Sequence, residues 1–222
     1  MGRFYEGAFY ARVMEPMQRR LHELVARRVE ADQRVLDAGC GAGGLALRLA
    51  RTAREVVGVD LAPRMIATAE ARRRRAAAHN LRFVTGDVAS ALADLDDGHF
   101  DAATLVLALH EMPSASREPV LRELCRVARR VECFDFRIPM PRNLAGLRNR
   151  AFEVAAGPEH FRAFRDYTAR GGVSAIAAAA GVDCDHVRDI DRGAMTIVTL
   201  RARRRGCDTP AAGQRGTAPG TW

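Results

Sequence analysis

The sequence predicts a three-layer α/β protein with a Rossmann-like, mostly parallel sheet, and three observations carry that prediction. Short apolar strands alternate with amphipathic helices from residue 34 onward, a glycine-rich turn joins the first strand to its helix, and the fourth strand is apolar enough to be buried on both faces. At 222 residues one domain is expected, with a core that needs neither metal nor disulfide to hold it. A composition of 48% apolar and 28% charged residues is that of a globular chain rather than a disordered one.

Apolar positions at helical spacing (Val13, Met17, Leu21, Leu24, Val25) predict one or two N-terminal helices over residues 8–30, interrupted at Pro16. Arg34 to Asp37 is a short strand, followed by the glycine-rich turn and a helix through Leu45, Leu47 and Leu49. Glu55 to Asp60 is the second strand, and Pro63 opens a helix to about Ala78. Leu81 to Thr85, Phe100 to Ala108 and Val131 to Phe136 are the third, fourth and fifth strands, with a helix over Glu118 to Val127. Two extra helices, Asn143 to Ala156 and Glu159 to Arg170, form an insertion after the fifth strand, and Gly171-Gly172 starts an alanine-rich helix ending at Gly181. Val182 to Ile190 and Ala194 to Arg201 close the sheet as an antiparallel pair joined at Asp191-Arg192-Gly193. The expected organisation is an N-terminal helical cap over 1–33, a core domain over 34–200 with 143–170 as its cover, and a basic disordered tail over 201–222.

Every one of the 35 basic residues is arginine. The absence of lysine excludes Schiff-base chemistry, a P-loop lysine and a lysine general base. The net charge of +8 sits unevenly: residues 201–222 hold five arginines and one acid, residues 1–34 seven and five, and residues 35–200 hold 23 and 21. A nearly neutral body argues against nucleic acid as the partner. The excess belongs to the ends, above all to the tail that begins with Arg201 to Arg205. Arg72 to Arg75 read as a solvated helix end, where cations suit the dipole. Five cysteines (Cys40, Cys125, Cys133, Cys184, Cys207) form an odd set without a C-x-x-C pair, so neither a disulfide framework nor a zinc site is expected, and no metal is assigned. No apolar run approaches the ~20 residues of a membrane span. No secretory signal opens the chain, and Glu6 stands where N-myristoylation needs Ser or Thr, so the cytoplasm is the expected compartment.

Val35-Leu-Asp-Ala-Gly-Cys-Gly-Ala-Gly-Gly44 brings glycines to a strand end, where a ligand can approach the backbone and the next helix offers its first amides. Gly39-x-Gly41-x-x-Gly44 matches the dinucleotide fingerprint, and Asp60 at the end of the second strand suits a ribose in either of two cofactors. Asp37 separates them. A carboxylate there repels a pyrophosphate and attracts the sulfonium and ammonium of S-adenosylmethionine.

Asp37, Gly39 and Gly41 supply the acidic-x-Gly-x-Gly motif of the class I S-adenosylmethionine-dependent methyltransferases, and here the chain resembles that family. Val56-Val-Gly-Val-Asp60 with Leu61-Ala-Pro-Arg-Met65 is similar to its second-strand motif, Phe83-Val-Thr-Gly-Asp87-Val88 to its third, and Phe100-Asp101 to His110-Glu111 to its fourth. The resemblance spans about residues 34–136, and more loosely to Leu200. It implies a methyltransferase domain over 34–200 that uses S-adenosylmethionine and releases S-adenosylhomocysteine. On that basis Asp37, Gly39, Cys40 and Gly41 hold the aminoacyl end and Asp60 the ribose hydroxyls. Leu61 and Met65 flank the adenine, Asp87 with Val88 meets its amino group, and Leu105 lies in the segment that runs under the methionine moiety.

The fold does not fix the acceptor. Neither Asn-Pro-Pro-Tyr nor Asp-Pro-Pro-Tyr is present, which argues against exocyclic amino groups of bases or glutamine. Without lysine, a Lys-Asp-Lys-Glu ribose methyltransferase and the usual metal-dependent catechol enzyme are also excluded. Leu107-Ala-Leu-His-Glu-Met-Pro113 is similar to the Leu-His-His segment of ubiquinone and menaquinone biosynthesis methyltransferases, with Glu111 replacing the second His. A small organic acceptor methylated at O, C or N is therefore expected. The transfer needs in-line approach, exclusion of water and loss of a proton. His110 is the candidate proton acceptor or substrate orienter, with a structural His bonded to loop backbone as the other reading. Glu111 would orient it or cap the next helix, and His160, near Phe161, Phe164 and Tyr167, lies on the covering helices. Tyr5, Phe9 and Tyr10 are expected to close the site from the N-terminal side, and Arg137 and Arg142 to meet an anionic group on the acceptor. Two other classes fit less well: a non-catalytic cofactor-binding partner in assembly or regulation, and an NAD-linked oxidoreductase. Any of these is compatible with a homodimer.

Overall fold

The computed structural model describes residues 15–203, so Tyr5, Phe9, Tyr10 and nearly all of the basic tail lie outside the described residues. Helix α1 (Glu15–Ala26) precedes a seven-stranded sheet. Its strands are β1 (Arg34–Ala38), β2 (Glu55–Asp60), β3 (Leu81–Thr85), β4 (Ala102–Val106), β5 (Val131–Phe136), β6 (Val182–Ile190) and β7 (Met195–Ala202). They lie in the order β3-β2-β1-β4-β5-β7-β6. The first five run parallel, and β7 is antiparallel to both β5 and β6, the closing pair expected from the sequence. The other helices are α2 (Gly44–Leu49), α3 (Pro63–Arg75), α4 (Val88–Leu92), α5 (Ser114–Val127), α6 (Leu144–Ala155), α7 (Pro158–Ala169) and α8 (Gly172–Ala179).

Helices cover both faces of the sheet, which is why β1, β4 and β5 are apolar along most of their length. On one face Val25 of α1 and Leu45 and Leu49 of α2 pack on Val35, Val56 and Ile197. On the other, Leu92 of α4, Leu121 and Leu124 of α5 and Ile176 of α8 pack on Leu36, Leu105 and Val198. The chain lays down β1, β2 and β3 outward and then returns to place β4 on the opposite side of β1. The carboxyl ends of β1 and β4 are therefore the switch point, where sheets of this kind hold ligands.

Several boundaries differ from the sequence reading for local reasons. Pro16 stands in the first turn of α1, where its missing N–H costs nothing, and the helical stretch expected before it lies outside the described residues. β4 stops at Val106 because Leu107 turns the chain with φ 51°, and Phe100 contributes only an isolated bridge to Ala128. α5 starts at Ser114 and carries Pro119 within it, so it is longer than the sequence suggests. α4 was not expected: five residues are too few to show a period, and it forms because the Asp87 carboxylate accepts from the Ser90 N–H at 3.0 Å. The Arg72–Arg75 run is also less solvated than expected. Arg72 donates to the Ala42 carbonyl at 2.8 Å, and Arg73 pairs with Glu70 at 2.9 Å.

Among the described residues Arg117 is the largest fully buried side chain, at 0% exposure. Its guanidinium donates to the carbonyls of Leu109 (3.1 Å), Met112 (3.1 Å) and Ala163 (2.7 Å) and to Asp166 Oδ2 (2.6 Å), and it lies over the Tyr167 ring. One arginine thus ties the loop after β4 to α7. Replacing it strands several buried carbonyls at once. Arg117→Leu is expected to lower unfolding free energy by about 3 kcal/mol or more; chemical denaturation measures this, and a change within error of zero would show that the node is dispensable.

Candidate active site

The glycine-rich turn leaves β1 beside the exit of β4. Gly39 has φ 66°, and a Cβ built on it would lie 2.8 Å from the Ala108 Cβ, so the two loops meet only because position 39 has no side chain. The Gly41 N–H donates to Asp60 Oδ2 and the Ala62 N–H to Asp60 Oδ1, both at 2.8 Å. Asp60 thereby fastens the turn to the end of β2, and each of its oxygens retains a lone pair for a ligand hydroxyl. Burial raises the Asp60 carboxyl above its usual range, with the two amides pulling the other way.

Asp37 is 2% exposed. Its Oδ1 accepts from Thr104 Oγ1 at 2.8 Å, a bond that crosses from β1 to β4 at the switch point. Its Oδ2 has no hydrogen-bond partner of normal geometry among the described residues, although the Ala46 amide is close enough to favour the charge. Burial, with the Thr104 bond opposing and the Asp60 charge adding, pushes the Asp37 carboxyl up to about 7. A cleft beside it is lined by Asp37, Gly39, Cys40 and Gly41, by Val106, and by Gln18 and His22 of α1. The sequence reading missed Gln18 and His22; their spacing of four, one turn of α1, was the available signal.

The other expected cofactor residues are less alike in the structure. Leu61 is 65% exposed beyond β2, while Met65 and Val88 are buried. Asp87 uses Oδ1 to cap α4, accepting from the Ser90 N–H and Oγ. Leu105 is fully buried in the core with Leu36 and Leu121, and it is Val106 that reaches the cleft, so any contact from Leu105 is through its backbone.

A second constellation forms past β4. His110 is 2% exposed, and its Nδ1 lies 2.7 Å from Asp135 Oδ1 on β5, while its backbone N–H donates to Asp135 Oδ2 at 3.2 Å. Its Nε2 lies 3.7 Å from Glu111 Oε1 and 3.7 Å from Glu153 Oε1 on α6. His160 of α7 places Nε2 2.7 Å from Glu153 Oε2 and 3.9 Å from Glu111 Oε1. Phe136, Phe164 and Tyr167 surround the His110 ring. Burial opposes the charge on His110, but Asp135, Glu153 and Glu111 outweigh it and raise the imidazole to about 9. His110 therefore holds a proton more tightly than an ordinary imidazole does, and the three carboxylates keep its ring in one orientation. Asp135 and Glu153 were missed by the sequence reading, having no motif to mark them.

Arg137 and Arg142 are not brought to either constellation. Arg137 pairs with Asp189 on β6 at 2.9 Å, and Arg142 is exposed before α6. The expected positive rim is therefore partly neutralised. Arg148 likewise pairs with Asp191, and Arg150 donates to the Met140 carbonyl.

The sequence family described as a methyltransferase domain matches residues 35–130, the stretch from β1 through α5. Residues 35–130 carry a methyltransferase domain. A demethylmenaquinone methyltransferase from Thermus thermophilus is 44% identical over 103 residues, covering 44% of this chain and 43% of that protein. A 23S rRNA (uracil(1939)-C(5))-methyltransferase from Pseudomonas putida is 48% identical over 64 residues, covering 29% of this chain and 14% of that protein. The chain thus matches less than half the length of these curated relatives. Among solved structures, a SAM-dependent methyltransferase from Aquifex aeolicus shares the fold with a TM-score of 0.59 at 18% identity, over 81% of this chain and 88% of that one. At the end of β1 the domain sets a buried carboxylate with an irregularly partnered oxygen beside a glycine turn that lines the cleft.

The raised Asp37 carboxyl has a thermodynamic consequence. A carboxyl that binds its proton more tightly in the folded state contributes stability that is full below pH 3.8 and is lost as pH rises toward about 7. Each pH unit in that window is worth about 1.4 kcal/mol. Without ligand, Asp37→Asn is expected to be more stable than the parent at pH 8, by on the order of 4 kcal/mol, with the gap closing toward pH 4. Denaturation curves across that range check it; parallel curves for the two proteins would contradict it.

Proposed function

We propose that the methyltransferase domain transfers a methyl group from S-adenosylmethionine to a small organic acceptor, at O, C or N, held beneath α6 and α7. The observation that supports this best is Asp37, whose buried Oδ2 makes no hydrogen bond of regular geometry among the described residues at the switch point. A cationic ligand head satisfies it, and a pyrophosphate does not. On this reading Asp37 and the Gly39 to Gly41 turn hold the aminoacyl end, Asp60 the ribose, and Asp87, Val88, Leu61 and Met65 the adenine. The sulfonium supplies the electrophilic methyl when bound. The chain positions the acceptor, excludes water with Phe161, Phe164 and Tyr167, and orients it through His110, with the carboxylates Glu111 and Glu153 in place to receive a proton.

A small acceptor is supported by the enclosure of this second site, where Glu111 is the most exposed of the clustered side chains, and by the near-neutral charge of residues 35–200. The match to the Pseudomonas RNA enzyme covers only 29% of the chain. Activity in the cytoplasm agrees with free Cys40, Cys125, Cys133 and Cys184. Among the described residues no helix is long and apolar enough to cross a membrane.

Titration calorimetry with S-adenosylmethionine and S-adenosylhomocysteine tests the cofactor. Both are expected to bind and NAD is not, and Asp60→Ala is expected to weaken them roughly 10- to 100-fold through lost hydroxyl contacts. Binding of NAD alone, or an Asp60→Ala protein that binds as the parent does, would overturn the reading. With labelled cofactor, transfer to ribosomal RNA but to no pool of small hydroxyl or amino compounds would refute the small acceptor.

A further inference from the structure

His110, Glu111 and His160 each offer a ligand atom within 4.8 Å of the others. Ligand atoms bound to one ion at about 2.0–2.2 Å sit roughly 3–4 Å apart; the separations of 3.7 Å and 3.9 Å to Glu111 Oε1 fall in that range, and the two imidazole nitrogens, up to 4.8 Å apart, would draw together on binding. Glu153 is 1% exposed, and its Oε2 makes no hydrogen bond of normal geometry despite lying 2.7 Å from His160 Nε2. An acid is thus buried in α6, facing two imidazoles. Asp135 engages His110 at Nδ1, which fixes the ring and turns Nε2 toward Glu111 and Glu153. That is the relation in which an outer carboxylate aims a metal-binding histidine.

We infer that His110, Glu111 and His160 bind a divalent first-row transition-metal ion, with Glu153 the further carboxylate in reach. The donors are imidazole nitrogen and carboxylate oxygen with no thiolate among them, which suits Zn²⁺, Mn²⁺ or Fe²⁺ rather than a thiophilic ion. Three carboxylates, Asp135, Glu111 and Glu153, face two imidazoles, so the cluster also attracts a cation on charge alone. Resting on the methyl-transfer reading, the ion has a role: its open coordination position binds the acceptor through oxygen, so the acceptor class is a hydroxylated or carboxylated compound. The residues come from the loop after β4 and from α6 and α7, so the ion would also clasp the cover to the sheet edge.

The full chain, stripped with chelator and dialysed against Zn²⁺ or Mn²⁺, is assayed for bound metal by elemental analysis and for affinity by calorimetry. About one ion per chain is expected, with affinity at least tenfold lower in both His160→Gln and Glu111→Gln. S-adenosylhomocysteine binding is measured on the same samples. It reports folding of the variants and stands apart from the metal result, because no proposed metal ligand belongs to the cofactor cleft. Absence of bound Zn²⁺ and Mn²⁺ in the parent, or equal affinity in the parent and in variants that still bind S-adenosylhomocysteine, would overturn the metal site. Failure of S-adenosylhomocysteine to bind the parent would instead overturn the methyl-transfer reading.

Discussion

A charge taken out of water must be answered by another charge or by hydrogen bonds, and that constraint organises this molecule. The sheet carries buried acids. Glu132 in β5 is met by Arg28 after α1 at 2.6 Å and by the Thr199 hydroxyl of β7, which joins the N-terminal segment to the sheet. Asp135, three residues on, is met by His110 and by the Phe136 amide. Arg117, buried from the opposite charge sign, is met by Asp166 and a set of carbonyls. Asp37 stands apart, since one of its oxygens is bonded to Thr104 and the other lacks a regular partner among the described residues. The same rule that explains the fold marks the place where a cationic ligand belongs.

Fold and site are linked through the loop after β4. Leu107 turns the chain at positive φ, Ala108 fits against Gly39, and His110 reaches across to Asp135 of β5. Arg117 then holds the carbonyls of this loop and the end of the Ala163 turn in α7 with one side chain. The cleft at Asp37 and the His110 cluster therefore lie along one edge, built from the carboxyl ends of β1, β4 and β5.

Much of this was legible from sequence, and what was not has a common cause. β2, β3 and β5 were bounded correctly because short apolar runs ended at turn residues, and the Gly39–Gly41 turn at the end of β1 was legible because a glycine-rich strand-to-helix turn is a local pattern. β4 was drawn too long since nothing in Leu107-Ala108 reveals a positive φ. α4, with five residues, is held by its cap and not by any periodicity. The polar partnerships were hidden by distance along the chain. His110 and Asp135 are 25 residues apart, and Arg117 and Asp166 are 49 apart. Arg137 was read as a contact for an anionic acceptor because Asp189, its partner on β6, comes next to it only in the folded sheet. Glu153 carries no motif to mark it, and only the packing of α6 brings it to the two imidazoles.

The central claim is that the orphaned oxygen of Asp37 is the anchor of a cationic cofactor whose methyl group is directed toward the His110 cluster. A crystal structure of the chain with S-adenosylhomocysteine bound tests both halves at once. The account predicts the ligand ammonium within hydrogen-bond distance of Asp37 Oδ2, the ribose on Asp60, and the sulfur facing the space beneath α6 and α7. A ligand seated elsewhere, or one whose ammonium leaves Asp37 untouched, would contradict it.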